Sequence, residues 1–251
     1  MIIKNGLVFT KDQAFNKEDL YIEDTRITTD GSGESIDAEG LYVIPGLTDI
    51  HLHGCMGADF CDGTPEALDT ISTYLSQNGI TSFAPASMTL SEEQLHVIFE
   101  NAKNYTHPKG ARLMGINMEG PFLSNAKKGA QNPKYLIAPN RDLFKRLNEA
   151  SGHRIKLVTL APECDGGMAF IDDLKEDVSI ALGHTTADYN CANEAFTRGA
   201  RHVTHLFNAM ASFTHRDPGL VGAASDHQNV TVELISDGVH IHPAMIRAAF
   251  K

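Results

Sequence analysis

The sequence has no apolar run approaching the ~20 residues needed to span a bilayer. Its first ten residues, MIIKNGLVFT, also lack an extended apolar segment followed by a small-residue cleavage site, so we expect no secretory signal there. Hydrophobic residues nevertheless make up 42% of the 251 residues. These features predict a chain with a substantial core and no membrane partner.

Cysteine is scarce and follows no pattern. The four cysteines are Cys55, Cys61, Cys164 and Cys191, and they form neither a CxxC pair nor a regular framework. In a chain of this length such spacing is typical of free thiols in a reducing compartment. We therefore expect a cytoplasmic location.

Basic residues are outnumbered, with 21 Lys and Arg against 32 Asp and Glu, for a formal net charge of −11 and no basic run. This balance argues against nucleic acid or an anionic membrane as the main partner. An anionic substrate remains compatible, because a local cationic clamp can bind one. Twelve histidines are present, and seven of them lie between His184 and His242.

Two regions differ in their patterns. Residues 1–45 contain short alternating or apolar strands separated by polar turns, which predicts a small β domain. Residues 46–251 alternate apolar strands with helical segments, and we count seven barrel-type strands. This repetition favours an α/β fold of the (β/α)8 type. A doubly wound open sheet is the alternative, but no GxGxxG or P-loop motif follows an early strand.

Helix boundaries are marked by capping residues. The segment 64–79 has Thr64 as N-cap, Pro65 at the first helical position and Gly79 as a stop. The segment 91–105 has Ser91 and Gln94 at capping-box spacing. Further helices are predicted at 140–152, 187–200 and 245–251. An eighth strand is not found before residue 251.

Polar residues recur where the predicted strands end, which is where barrels of this type carry their chemistry. They are His51, His53, Glu119, His184, His205, Asp237 and His240. Taken singly, each histidine could be a hydrogen-bonded core residue, and Glu119 could form an ion pair with Lys127 or Lys128. Four histidines and one glutamate at the same pole of a barrel instead indicate a metal site.

Imidazole and carboxylate ligands without cysteine suit Zn²⁺, with Fe²⁺, Co²⁺ and Mn²⁺ as alternatives. Such an ion acidifies a coordinated water towards a pKa of ~7 and polarises a carbonyl. The predicted reaction class is hydrolysis of an amide, an ester or a related bond.

Two segments point to a substrate. Residues 120–139 form a stretch of about twenty residues without clear periodicity, which in a compact domain usually has a function. Residues 205–224 carry Asn208, His215 and Arg216, and a guanidinium suits phosphate or carboxylate. A solvated loop position for His215 and a surface ion pair of Arg216 with Asp217 are the alternatives.

The motifs together resemble the N-acetylglucosamine-6-phosphate deacetylase family of the amidohydrolase superfamily. They are PGLTDIHLHG, MEGPFLSNAKKGAQNP, LGHTTA, THLFNAM, HRDPGLVGAA and ISDGVHIHP. The first marks only the superfamily, whereas the KKGAQ, THLFNAM and HRDPG motifs are more specific. The resemblance implies an incomplete amidohydrolase barrel over 46–251. It also implies that 1–45 is part of a β-sandwich that C-terminal strands normally complete.

The resemblance implies hydrolysis of the acetamide of N-acetylglucosamine 6-phosphate to glucosamine 6-phosphate and acetate, by a cytoplasmic homodimer or higher oligomer. Glu119, His184 and His205 would hold the main metal, and His51 and His53 a second one. The implied substrate-binding positions are Ala130, Gln131, Asn208, Ala209, Arg216, Asp237 and His240. Arg216 and His240 would bind the 6-phosphate, and Gln131 stands where some relatives have histidine.

One departure concerns the catalytic residue. The family's aspartate lies at the end of the eighth strand, where it acts as general base and then acid, and no matching motif follows His240. We therefore assign no catalytic residue within 1–251, because Asp237 belongs to the seventh-strand motif. Two alternatives stay open: a preference for the galactosamine epimer, and a catalytically inactive remnant that binds metal and sugar phosphate.

Overall fold

The structure is a computed structural model that describes residues 1–106 and 109–251. Contacts between Cα atoms divide the chain into two units, Met1–Leu47 and Thr48–Lys251. None of the helices in the described ranges has the length and apolar character of a membrane span. The four cysteines are free thiols.

The first unit consists of short strands. They are β1 (Ile2–Lys4), β2 (Leu7–Phe9), β3 (Phe15–Lys17), β4 (Leu20–Glu23), β5 (Arg26–Thr28), β6 (Ser35–Asp37) and β7 (Tyr42–Val43). They form one sheet in the order β5-β4-β1-β6 and another in the order β3-β2-β7. Val8 and Ala38 are buried in this unit. The residues are therefore all-β, as their alternating pattern predicts.

The second unit alternates strands and helices. Its strands are β8 (Leu47–Asp49), β9 (Gly54–Cys55), β10 (Ala58–Asp59), β11 (Ile80–Phe83), β12 (Arg112–Leu113), β13 (Ile116–Glu119), β14 (Ile155–Leu160), β15 (Ser179–Leu182), β16 (His202–Val203) and β17 (Thr231–Val232). Its helices are α1 (Pro65–Gln77), α2 (Glu92–Asn104), α3 (Arg141–Ala150), α4 (Gly167–Leu174), α5 (Tyr189–Arg198), α6 (Gly219–Asp226) and α7 (Pro243–Ala249).

Parallel pairing runs through β13-β14-β15-β16-β17, and a second sheet has the order β12-β11-β8. A parallel bridge between Ala86 and Asn117 connects the end of β11 with β13. The apolar core between sheet and helices includes the fully buried Phe83, Phe99 and Met118. The prediction of a (β/α)-type barrel is confirmed, in the form of a partial barrel.

The predicted caps hold α1 and α2. Thr64 accepts a hydrogen bond from the Ala67 amide, and Ser91 and Gln94 form the reciprocal capping box. The helices α4 and α6 were not predicted. The first begins at glycines without a side-chain cap, and the second follows Pro218 without one, so neither carries the usual start signal.

Candidate metal centre

Glu119 is the centre of the polar cluster. It is the last residue of β13, whose four residues are all buried, and only 2% of it is exposed. Its Oε1 lies 3.1 Å from Nε2 of both His184 and His205, and 3.5 Å from Nε2 of His51. Its Oε2 lies 3.3 Å from Nε2 of His53. A single buried carboxylate therefore faces four imidazoles.

His184 and His205 approach Glu119 from the residues that follow β15 and β16. Both have backbone conformations in the left-handed region, with φ of 48° and 33°. This conformation is uncommon among residues other than glycine, and asparagine, aspartate and histidine adopt it more often than the rest. It costs about 1–3 kcal/mol, a strain that proteins retain mainly where a site requires it. The two left-handed residues thus turn both side chains into the cluster.

The sequence pattern predicted that His51 and His53 lie on one face of a strand. In the structure they lie outside any strand. β8 ends at Asp49, and both histidines occupy the loop that follows. Their ring centroids are 5.6 Å apart, and both Nε2 atoms still point at Glu119. Gly54 begins β9 directly after them, and a Cβ atom there would lie 2.0 Å from the Ala58 carbonyl oxygen of the paired strand β10. Tertiary contacts therefore direct these two imidazoles.

Each of the four imidazoles is oriented by an acceptor at its Nδ1 atom. The Nδ1 of His53 faces the Ala86 carbonyl at 3.1 Å, and that of His51 faces a carboxylate oxygen of Glu233 at 2.5 Å. The Nδ1 atoms of His184 and His205 face the carbonyls of Lys127 and Asn208 at 2.9 and 3.2 Å, respectively. With Nδ1–H engaged by these acceptors, the Nε2 atom of each neutral imidazole carries the lone pair that faces the cluster.

The donor set fits a divalent cation. Lone pairs on Nε2 atoms that face one another and a carboxylate repel unless positive charge lies between them. The Nε2 atoms of His184 and His205 are 3.0 Å apart, close to the ~3.3 Å between ligands at ~2.0 Å from a tetrahedral ion. Two groups share Glu119, and within each group the ligand atoms all lie within 4.8 Å of one another: His51, His53 and Glu119, and Glu119, His184 and His205.

The pKa values of His51 and Glu119 reflect how strongly the carboxylates and imidazoles of this cluster interact. Burial alone lowers the pKa of His51, but its hydrogen bonds with Glu119 and Glu233 outweigh burial and raise it to about 10. Burial raises the pKa of Glu119, yet hydrogen bonds with the surrounding histidines hold it well below its ordinary value. The two carboxylates therefore favour the cationic form of His51, whereas burial opposes it.

Gln131 contacts this carboxylate directly. It is 3% exposed, its Nε2 donates to Oε2 of Glu119 at 2.9 Å, and its Oε1 accepts from the Thr89 amide at 2.7 Å. The side-chain amide thus fixes Glu119 on the side away from His184. The substrate-binding role predicted for Gln131 stays a prediction.

Glu233 contacts the cluster and was not among the residues predicted from the sequence. It lies just beyond β17, and its carboxylate accepts hydrogen bonds from His51 and from Nε2 of His202, the latter at 2.9 Å. Burial raises the pKa of Glu233, but the two histidines lower it to about 2. The sequence signal that could have indicated Glu233 is that it is the charged residue in the otherwise largely apolar segment VTVELIS.

Three predicted substrate-binding residues lie near the cluster. Asn208 and Ala209 follow His205, and the Ala209 carbonyl accepts from the Thr185 amide at 3.2 Å. Ala130 is exposed and follows Gly129, where a Cβ atom would lie 3.5 Å from the His184 ring. The close approach at Gly129 brings this loop to the edge of the candidate metal centre.

Arg216, Asp237 and His240 are exposed and do not contact Glu119. Arg216 lines a cavity of about 450 Å³ together with Thr186, Tyr189 and Ser212. The Asp237 carboxylate accepts from the amides of Val239 and His240 and from the His240 ring, at 2.7–2.9 Å. These residues are therefore not part of the hydrogen-bonded cluster around Glu119.

The model of the amidohydrolase family matches residues 42–251, which is more than half of the chain. The chain belongs to the amidohydrolase family. Members of this family depend on metal, and the two groups that share Glu119 could hold one.

The relatives of this amidohydrolase chain are N-acetylglucosamine-6-phosphate deacetylases. It is 36% identical to the one from Bacillus subtilis, and the match covers 100% of this chain and 67% of that relative. It is 31% identical to the one from Homo sapiens, and the match covers 100% of this chain and 64% of that relative. The structure of a mutant of the Mycobacterium smegmatis enzyme in complex with N-acetyl-D-glucosamine-6-phosphate matches this chain with a TM-score of 0.91 at 32% identity. The match covers 99% of this chain and 66% of that one. The predicted resemblance is confirmed, and the chain spans about two thirds of these relatives' length.

Proposed function

We propose that this chain catalyses the metal-dependent hydrolysis of the acetamide of N-acetylglucosamine 6-phosphate. Water adds to the acetyl carbon and the C–N bond breaks, giving acetate and glucosamine 6-phosphate, whose amine gains the proton. The observation that carries the proposal is the sharing of buried Glu119 by two histidine pairs. The activity of the relatives supplies the substrate.

The proposed ligands are His51, His53, Glu119, His184 and His205, with Zn²⁺ as the favoured ion. When bound, such an ion supplies Lewis acidity and lowers the pKa of a coordinated water. The chain's own residues orient the ligands: backbone carbonyls hold three of the imidazoles, and Gln131 holds Glu119.

We propose that Arg216 and His240 bind the 6-phosphate, and that Ala130, Gln131, Asn208, Ala209 and Asp237 complete the sugar site. A guanidinium at a cavity wall suits a phosphate. We also propose a cytoplasmic homodimer. Asp237 is engaged by Val239 and His240, so it is not proposed as the proton-transfer group.

The test is an assay of the 251-residue chain, verified by intact mass, with Zn²⁺, Fe²⁺, Co²⁺ or Mn²⁺ supplied. Release of acetate from N-acetylglucosamine 6-phosphate, and its loss in Glu119→Gln, would support the proposal. Binding of metal without turnover on any phosphosugar would overturn it and favour the inactive, ligand-binding alternative. A higher kcat/KM for the galactosamine epimer would change the substrate while leaving the reaction class.

A further inference from the structure

Glu233 contacts the candidate metal centre without facing Glu119. Its Oε2 lies 2.5 Å from Nδ1 of His51 and 3.3 Å from the backbone nitrogen of His205. Its Oε1 accepts from Nε2 of His202 at 2.9 Å. The side chain of Glu233 is only 11% exposed, so this carboxylate joins three parts of the site in a largely dry environment.

His51 differs from the other three imidazoles in the type of hydrogen-bond acceptor that its Nδ1 atom faces. The Nδ1 atoms of His53, His184 and His205 face backbone carbonyls, which no side-chain substitution removes. The Nδ1 of His51 faces a side chain, that of Glu233. The orientation of one proposed ligand therefore depends on one further residue.

Glu233 is itself held in place from the neighbouring strand. His202 and Thr231 are partners in the parallel pairing of β16 with β17, and Nδ1 of His202 lies 2.6 Å from Oγ1 of Thr231. Glu233 lies two residues beyond Thr231, and its backbone amide donates to the Val203 carbonyl of β16 at 2.9 Å. His202 is 8% exposed, and its Nε2 fixes the free oxygen of Glu233.

We infer that Glu233 is a positioning residue for the second metal ion, the one that His51, His53 and Glu119 would hold. Its carboxylate accepts a hydrogen bond from Nδ1–H of His51 and so directs the Nε2 atom of that ring at Glu119. Carboxylates in this place orient ligating imidazoles and raise their basicity. The inference rests on the proposed metal centre and extends it to a residue that is not a ligand.

The test compares zinc binding by the wild-type chain and Glu233→Gln. The amide oxygen of glutamine can satisfy only one of the two histidines, so His51 loses its charged acceptor. We expect the second ion to bind about 10- to 100-fold more weakly, with the first ion changed by less than about threefold. Zinc content by mass spectrometry and competition with a chelating dye measure both constants.

The matched control is Glu163→Gln, because Glu163 holds Thr185 and Thr186 after β15 and has no contact with His51. It should leave the affinity for the second ion unchanged. If Glu233→Gln does not fold, as judged by circular dichroism, His202→Phe replaces it. This second variant frees one oxygen of Glu233 and should weaken the second ion in the same selective way.

The outcomes are distinct. Two ions of unchanged affinity in Glu233→Gln overturn the inference, as does an equal weakening of both ions, which would indicate a general structural role. A wild-type chain that binds only one ion overturns the inference and leaves the hydrolytic proposal standing. A wild-type chain that binds no ion overturns the proposed function itself.

Discussion

The Nε2 atoms of His184 and His205 lie 3.0 Å apart, and both point at Oε1 of Glu119. Each Nδ1 faces a backbone carbonyl, so in the neutral imidazoles both Nε2 atoms direct lone pairs at each other and at the carboxylate. Positive charge between these atoms would relieve their repulsion. The left-handed backbone at both histidines indicates that the fold sustains strain to create this arrangement.

Replacing Glu119 by glutamine should abolish binding of both ions, because this carboxylate is the ligand the two groups share. We expect zinc affinity to fall by more than about 100-fold, beyond the 10- to 100-fold typical of residues that only orient ligands. Zinc content after dialysis and acetate release from the phosphosugar measure the effect. Glu149→Gln, on the exposed face of α3, is the control. Retention of both ions in Glu119→Gln would contradict the assignment.

Replacing Gln131 by alanine should destabilise the metal-free chain. The Thr89 amide and Oε2 of Glu119 would each lose a buried hydrogen-bond partner. Unsatisfied buried groups cost about 1–3 kcal/mol, so the free energy of unfolding should fall by about this amount. Urea unfolding gives the value, with Gln77→Ala at the exposed end of α1 as control. Equal stability of the two variants would show that Gln131 is replaceable by water.

Replacing Arg216 by alanine should raise KM for N-acetylglucosamine 6-phosphate by about 10- to 100-fold, as expected for the loss of a charge-assisted hydrogen bond. The unphosphorylated sugar should be hydrolysed at the wild-type kcat/KM, because the guanidinium is proposed to contact only the phosphate. Steady-state kinetics on both sugars separate the effects, with the exposed Arg201→Ala as control. A parallel loss on both sugars would refute a phosphate-specific role.

The turn from Asp237 to His240 should stay ordered down to strongly acidic pH. Hydrogen bonds from the His240 and Val239 amides and the His240 ring lower the pKa of Asp237 from 3.8 to about 2. Because the folded-state pKa is the lower one, ionisation stabilises the turn. This contribution is complete above the ordinary value and is lost as pH falls towards about 2. Carbon-13 NMR of the Asp237 carboxyl follows this titration, and a midpoint near the ordinary value would contradict it.

The helices and the loop of His51 and His53 show which parts of the fold a local sequence pattern can predict. The caps at Thr64 and Ser91 were read correctly because their hydrogen bonds close within three residues. The helices α4 and α6 lack such caps, and their buried residues, such as Phe170 and Leu220, belong to the apolar core. His51 and His53 were expected on one strand face, whereas their convergence on Glu119 comes from a loop that tertiary contacts shape.

The sequence by itself determined the repeated strand–helix pattern and the chemical identity of the cluster. Imidazoles and one carboxylate recur where strands end, and that placement follows from the barrel. Only the tertiary structure decided how the cluster is oriented. Backbone carbonyls of Ala86, Lys127 and Asn208 direct three of the imidazoles, and a carbonyl has no side-chain signature in the sequence. The contact of Glu233 with His51 joins residues 182 positions apart, a distance over which no local pattern carries information.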